Sequence, residues 1–172
     1  MKCVVFTIIF LLSFQSIETN ILNFTEGMLQ GLIQNSGANL TDILKCVEGV
    51  FSPSEYQLIL GYIESAVSMF KHLDIAHWED IYKGFEQLFD AVFELYRVVK
   101  PCIAGVKELE SIIKLLEDIN PAILLSKITK NLVFHGYKLV SDLVDIVHQY
   151  QKGNWKQMGF DTGDIVYNLL IS

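Results

Sequence analysis

The opening stretch of the chain, Met1 to Ser16, constrains everything after it. Lys2 supplies a positive charge, and Cys3–Phe14 is apolar except for Thr7 and Ser13. Polar sequence (Gln15, Ser16, Glu18, Thr19) follows at once. A helix that spans a bilayer needs roughly 20 apolar residues, so this run is too short and reads as a secretory signal. The expectation is a signal peptide over residues 1–16, cleaved between Ser13 and Thr19, with an uncleaved anchor as the alternative. The mature chain, 17–172, then carries no transmembrane segment. It works in an oxidising, glycosylating compartment, outside the cell or in a secretory vesicle.

That compartment fixes how the cysteines are read. Cys3 leaves with the signal, and Cys46 and Cys102 remain. A lone pair in an oxidising lumen is most simply one disulfide, with two buried thiols as the alternative. Asn23-Phe24-Thr25 and Asn39-Leu40-Thr41 are acceptor sequons that suit the same route, so Asn23 and Asn39 are the candidate glycosylation sites.

About 155 residues follow the signal, one domain's worth on the usual prior. Half the chain is apolar, 51%, and 19% is charged, which excludes a disordered chain. The net charge is −7 and Arg97 is the single arginine. Binding a polyanion requires a basic stripe that displaces counterions, and none exists, so nucleic acid is not a partner. Anionic membrane surfaces are disfavoured for the same reason.

Glycine and proline fall between periodic segments, which makes the chain all-α: a single-domain bundle of six or seven helices. Asn20 can cap a first helix to about Gln34, with Ile21, Phe24, Met28 and Leu32 on its inner face. Gly27 and Gly31 lie on a neighbouring line, a small-xxx-small spacing that lets helix backbones approach. A short helix from Thr41 to about Val50 carries Cys46. Ser52-Pro53-Ser54-Glu55 is a capping box with proline at the first helical position, and it opens a helix to about Lys71. The next helix runs from about His77 to Val99, where Pro101 ends it and opens another carrying Cys102. Asn120-Pro121 repeats that device before the longest helix, Ala122 to Gln151, which has a candidate bend at His135-Gly136. Gly153 and Asn154 are a natural helix stop and cap before the last helix, Trp155 to about Leu170. Gly159 and Gly163 repeat the four-residue spacing there, and the two glycine-spaced helices are expected to pack on each other or on the long helix.

Catalytic groupings are absent from the sequence. There is no G-x-S-x-G, H-E-x-x-H, phosphate-cradling glycine loop or EF-hand spacing. His72, His77, His135 and His148 are not clustered as metal ligands are. Asp142/Asp145 and Asp161/Asp164 are i,i+3 carboxylate pairs that suit acid–base work or calcium in principle, and a solvated helix edge in practice. No enzyme, cofactor or metal is expected. What stands out is apolar surface: Tyr82, Phe85, Phe89, Phe93 and Tyr96 form an aromatic stripe at helical spacing. Such a stripe is ordinary core or the wall of an apolar pocket, and periodicity alone does not separate the two.

The Gly27-x-x-x-Gly31 helix after a signal, and the ending Lys152-Gly153-Asn154-Trp155…Met158-Gly159…Gly163-Asp164-Ile165-Val166, carry a resemblance. Together with the central cysteine pair, they resemble the small secreted helical proteins that ciliated protozoa encode in many copies. The resemblance implies class and compartment and assigns no functional residue. The expected function is therefore a secreted, non-enzymatic binding or interaction protein, carrying an apolar, lipid-like ligand between helices. The alternative is a structural protein that self-associates or docks a protein partner through an apolar helix face, and a hydrolase with an unfamiliar site is the third reading.

Overall fold

The computed structural model describes residues 2–33, 40–71, 78–104, 106, 109–110, 114, 117–118 and 121–171. Among them are six helices: α1 Lys2–Ile33, α2 Leu40–Val47, α3 Pro53–Phe70, α4 Trp78–Ile103, α5 Pro121–Gln151 and α6 Trp155–Ile171. Residues 109–110, 114 and 117–118 between α4 and α5 are also helical. There is no strand among the described residues, so the fold is an all-α bundle. The loop at 35–38, the connection at 72–76, His77 and Asn39 lie outside the described residues, as do the side chains around the candidate bend at His135-Gly136. The backbone of α5 is helical through that position.

Local signals explain most of the boundaries. At the start of α3, the Ser52 Oγ accepts from the Glu55 amide at 3.4 Å and a Glu55 carboxylate oxygen accepts from the Ser52 amide at 2.8 Å. Two otherwise orphaned donors are thereby satisfied, and Pro53 fills the first turn where its missing N–H costs nothing. At the other end of the chain Gly153 adopts φ +68°, where glycine pays no Cβ penalty, and closes α5. The Asn154 side-chain oxygen then accepts from the Gln157 amide and caps α6.

Two boundaries differ from the sequence reading. Asn20 is no cap: the apolar run and the first predicted helix form one continuous α1, because no proline or turn residue separates them. Pro101 does not end α4. It sits in the last helical turn, and the helix continues past it to a buried Ile103.

The bundle is organised by two closely packed pairs. α1 lies along α6, and α3 lies along α4; α5 packs on α6, with lighter contacts from α1 to α3 and from α3 to α5. The α1–α6 pair is parallel, since positions advancing from Phe24 to Gly31 meet positions advancing from Lys156 to Asp164. Glycines make this approach possible. A Cβ on Gly27 would meet the Lys156 carbonyl and one on Gly159 would meet the Phe24 carbonyl, so backbone lies directly on backbone. Thr25 and Thr162, one on each of these helices, are fully buried and donate to their own helix at Ile21 O (2.7 Å) and Met158 O (2.9 Å). Among the described residues no buried side-chain nitrogen or oxygen lacks a partner. The edge of the pair is held by Lys156 on Glu26 at 2.6 Å.

The α3–α4 pair is antiparallel. Phe70, at the end of α3, sets its ring edge-on to Phe85, centroids 5.6 Å apart, and covers Gly84. At the opposite end the Arg97 guanidinium lies 3.8 Å from Glu55. The shared core includes Phe24, Phe70, Phe85, Ile59, Ile63, Leu88, Leu95 and Ile128. α2 is tied down by a disulfide, Cys46–Cys102, with Cα atoms 5.6 Å apart, so the expected cysteine pairing is present.

Candidate functional site

The aromatic stripe on α4 does not stay on one side of the protein surface. Phe85, Phe89 and Tyr96 are buried in the core and Tyr82 is half-buried against it, whereas Phe93 is 44% exposed. Helical geometry gives the reason. Each i+4 step advances about 40° round the axis, so two such steps from Phe85 carry Phe93 about 80° away from the buried face. The Phe93 ring still rests edge-on against Tyr96, centroids 6.5 Å apart. Tyr96 in turn donates to Glu117 at 3.1 Å, and Lys100 donates to the same carboxylate at 3.1 Å. Burial raises the Tyr96 hydroxyl pKa, and the Lys100 hydrogen bond holds Glu117 below the usual carboxylate range. The stripe therefore contributes packing from three rings, and its one outward ring opens a different surface.

That surface lies across α3 and α4. Phe93 precedes Arg97 by one turn on α4, and Leu58, 43% exposed, follows Glu55 by three residues on α3. Because Glu55 and Arg97 meet across the antiparallel pair, Leu58 and Phe93 sit one turn along from that bridge on each helix. Arg97 also binds Glu94 at 2.9 Å. Asp90, a turn earlier, has its pKa raised by burial and then by the neighbouring Glu86 and Glu94 charges. Leu58 and Phe93 are thus exposed apolar side chains with the charged Glu55, Arg97, Glu94 and Asp90 along the same helices. Leu58 lies off the Tyr56–Ile59–Ile63 line, a departure from period that was readable in the sequence.

A groove of about 550 Å³ lies elsewhere, between the end of α3 and the second half of α5. Phe70, Val144 and Val147 form its apolar part, and Lys71, Asp145, His148 and Gln151 its polar part. No stripe residue lines it. Beside it, the Lys71 ammonium is 5.9 Å from the centre of the Tyr150 ring, and Tyr150 donates to Glu64 at 3.2 Å.

The two carboxylate pairs, on α5 and α6, come together. Asp142 has its pKa raised by burial, eased by Lys138 and raised again by Asp164 and Asp145. Asp161 is raised by burial and by Asp145, Asp142 and Asp164, against a lowering hydrogen bond from Gln157 at 2.8 Å. Among the described residues no three His, Cys, Asp or Glu side chains are placed to hold a metal ion. Asn23 is exposed on α1, while Thr25 of its sequon is buried. Among the described residues no helix is long and apolar enough to cross a membrane.

These features define a class: an all-α, disulfide-stapled helical bundle with exposed apolar side chains on α3 and α4. The match to known proteins is at the level of a family. The family model described as SctB-like, Secreted protein B-like, matches residues 11–172, and the chain belongs to that family. It is thus a secreted protein. This membership replaces the resemblance to the ciliate proteins, whose generic glycine spacing and cysteine pair are features that many helical bundles share. No curated protein and no solved structure matches the chain.

Proposed function

We propose that the protein is a non-enzymatic interaction protein of the secreted space, which self-associates or docks a protein partner through the α3–α4 face. The observation that carries the reading is the outward placement of Phe93 together with Leu58, beside the Glu55–Arg97 bridge. A large aromatic left outside a core that has taken up its neighbours is surface available for a partner. The lipid-carrier reading has less behind it, since Phe85, Phe89 and Tyr96 are consumed by packing and no residue of the aromatic stripe lines the groove, where Lys71 and Asp145 stand beside Phe70, Val144 and Val147. Export by a cleaved leader at residues 1–16 is part of the same reading, supported by Lys2 and the short apolar run. Glycan attachment at Asn23 is supported by its exposure.

Light scattering on the secreted protein, with Leu58→Ser/Phe93→Ser beside it, tests the proposal. Wild type should form oligomers that the double variant disperses, or should cross-link to a defined protein partner that the variant loses. A monomer with no partner, yielding lipid in an organic extract, would overturn it in favour of a carrier.

A further inference from the structure

The short helix α2 is held to the bundle in an unusual way. It has eight residues, and only Ile43 and Val47 are buried, with Leu40 and Leu44 half-buried. A helix of that length is well below the roughly 12–15 residues at which even favourable sequences hold together alone. Its packing partners are α4 and the end of α1. The covalent anchor is Cys46, an exposed residue, bonded to Cys102, which is half-buried against the core in the last turn of α4. The two cysteines therefore differ in exposure: Cys46 is the more open to solvent and Cys102 is half-buried against the core.

We infer that the Cys46–Cys102 disulfide is a thiol-opened latch that, on reduction, releases α2 and bares the apolar surface beneath it. The reductant is a small dithiol or glutathione-like thiol. Its thiolate attacks the accessible Cys46 Sγ, forms a mixed disulfide there and expels the Cys102 thiolate, which takes a proton from water. A second thiol attacks the mixed disulfide, leaves as part of the oxidised reagent and frees the Cys46 thiol. Two electrons and two protons enter the protein, and one small-molecule disulfide leaves. The rest of the bundle does not depend on this bond. α3 has its own capping box, and α1 and α6 are joined by direct backbone contact. Opening is thus local, and it exposes Ile43, Val47 and the sides of α1 and α4 on which they rest. This inference is independent of the α3–α4 docking face.

Hydrogen exchange read by mass spectrometry on the whole secreted protein, with and without dithiothreitol, decides the point. Amides of 40–47 should exchange at least tenfold faster after reduction while those of α3 and α6 keep their protection, and reoxidation should restore the original rates. The Cys46→Ser/Cys102→Ser variant should match the reduced protein without reagent. Unchanged protection in α2 would overturn the latch. So would a simultaneous loss throughout the bundle, because the bond would then hold the whole fold.

Discussion

Gly31 and Gly163 meet with no side chain between them: a Cβ on Gly163 would lie 3.1 Å from the Gly31 Cα and would also run into the Met28 carbonyl oxygen. Gly27 and Gly159 make the equivalent approach one turn earlier, against Lys156 and Phe24. The parallel contact of the first and last helices is therefore set by missing side chains rather than by interlocking large ones.

Alanine at Gly163 should accordingly force α1 and α6 apart. The overpacking cost, about 1–3 kcal/mol or more, outweighs the roughly 1 kcal/mol that alanine gains in helix propensity. A net loss of about 2 kcal/mol corresponds to a melting point lowered by roughly 4–8 °C for a chain of this size. Gly61 is the internal control, because a Cβ there meets nothing within 4 Å. Gly61→Ala should raise the melting point by about 2–4 °C. Thermal unfolding of the two variants tests the contrast, and equal shifts of one sign would refute it.

The capping box at α3 gives a second measurement. Ser52→Ala removes a cap and should cost about 1 kcal/mol. Hydrogen bonds from the Ser52 backbone and side chain, with help from Arg97, hold the Glu55 carboxyl below the usual glutamate range. A depressed carboxyl contributes stability that is present above its unfolded pKa and is lost as pH falls through the folded one. Wild type should therefore lose part of its advantage over Ser52→Ala on acidification below the normal glutamate range. Denaturant titrations at neutral and acid pH follow the difference directly.

What was legible in the sequence was local. Ser52-Pro53-Ser54-Glu55 and Gly153-Asn154 placed helix ends because each residue satisfies a backbone group within its own turn. Cys46 and Cys102 were paired by elimination and compartment. The glycine spacing said that two helices sit close, though not in which direction they run. The misreadings came from competition between local and distant terms. Pro101 looks like a breaker, yet burial of Ile103 holds the turn that contains it. Asn20 looks like a cap, but a cap forms only where a helix starts, and nothing upstream stops α1. The meeting of Asp142 and Asp161 across α5 and α6 depends on tertiary packing that no spacing in either helix records.

Those aspartates make the pH behaviour two-sided. Asp142 and Asp161 have pKa values raised by burial and by neighbouring aspartate charges, Asp164 and Asp145 for the first and Asp145, Asp142 and Asp164 for the second. A carboxyl whose pKa is higher in the folded state favours folding as it takes up a proton, so its contribution is lost as pH rises through the folded pKa. Mild acidification from neutral pH should stabilise the α5–α6 packing before the Glu55 loss sets in. Asp161→Asn should raise stability at neutral pH by on the order of 0.5 kcal/mol, the cost typical of like charges a turn apart, and flatten the dependence. Melting points measured through the mildly acidic range check both signs, and a wild-type profile that only declines on acidification would rule the argument out.

The last test separates packing from docking within one stripe. Phe85 is fully buried and touches the Phe70 ring, so Phe85→Ala should cost about 3–5 kcal/mol through lost contacts and the cavity left behind. Phe93 has the same side chain two turns later, yet it is 44% exposed, and its only ring contact among the described residues is the edge of Tyr96. Phe93→Ala should therefore cost clearly less than Phe85→Ala, about 1–2 kcal/mol for the part of the ring that is covered. If the exposed ring serves a partner, the same substitution should weaken association while the melting point of the dilute protein falls much less than that of Phe85→Ala. A Phe93→Ala variant that unfolds as readily as Phe85→Ala would mean that the ring belongs to the core, and the α3–α4 face would lose its anchor.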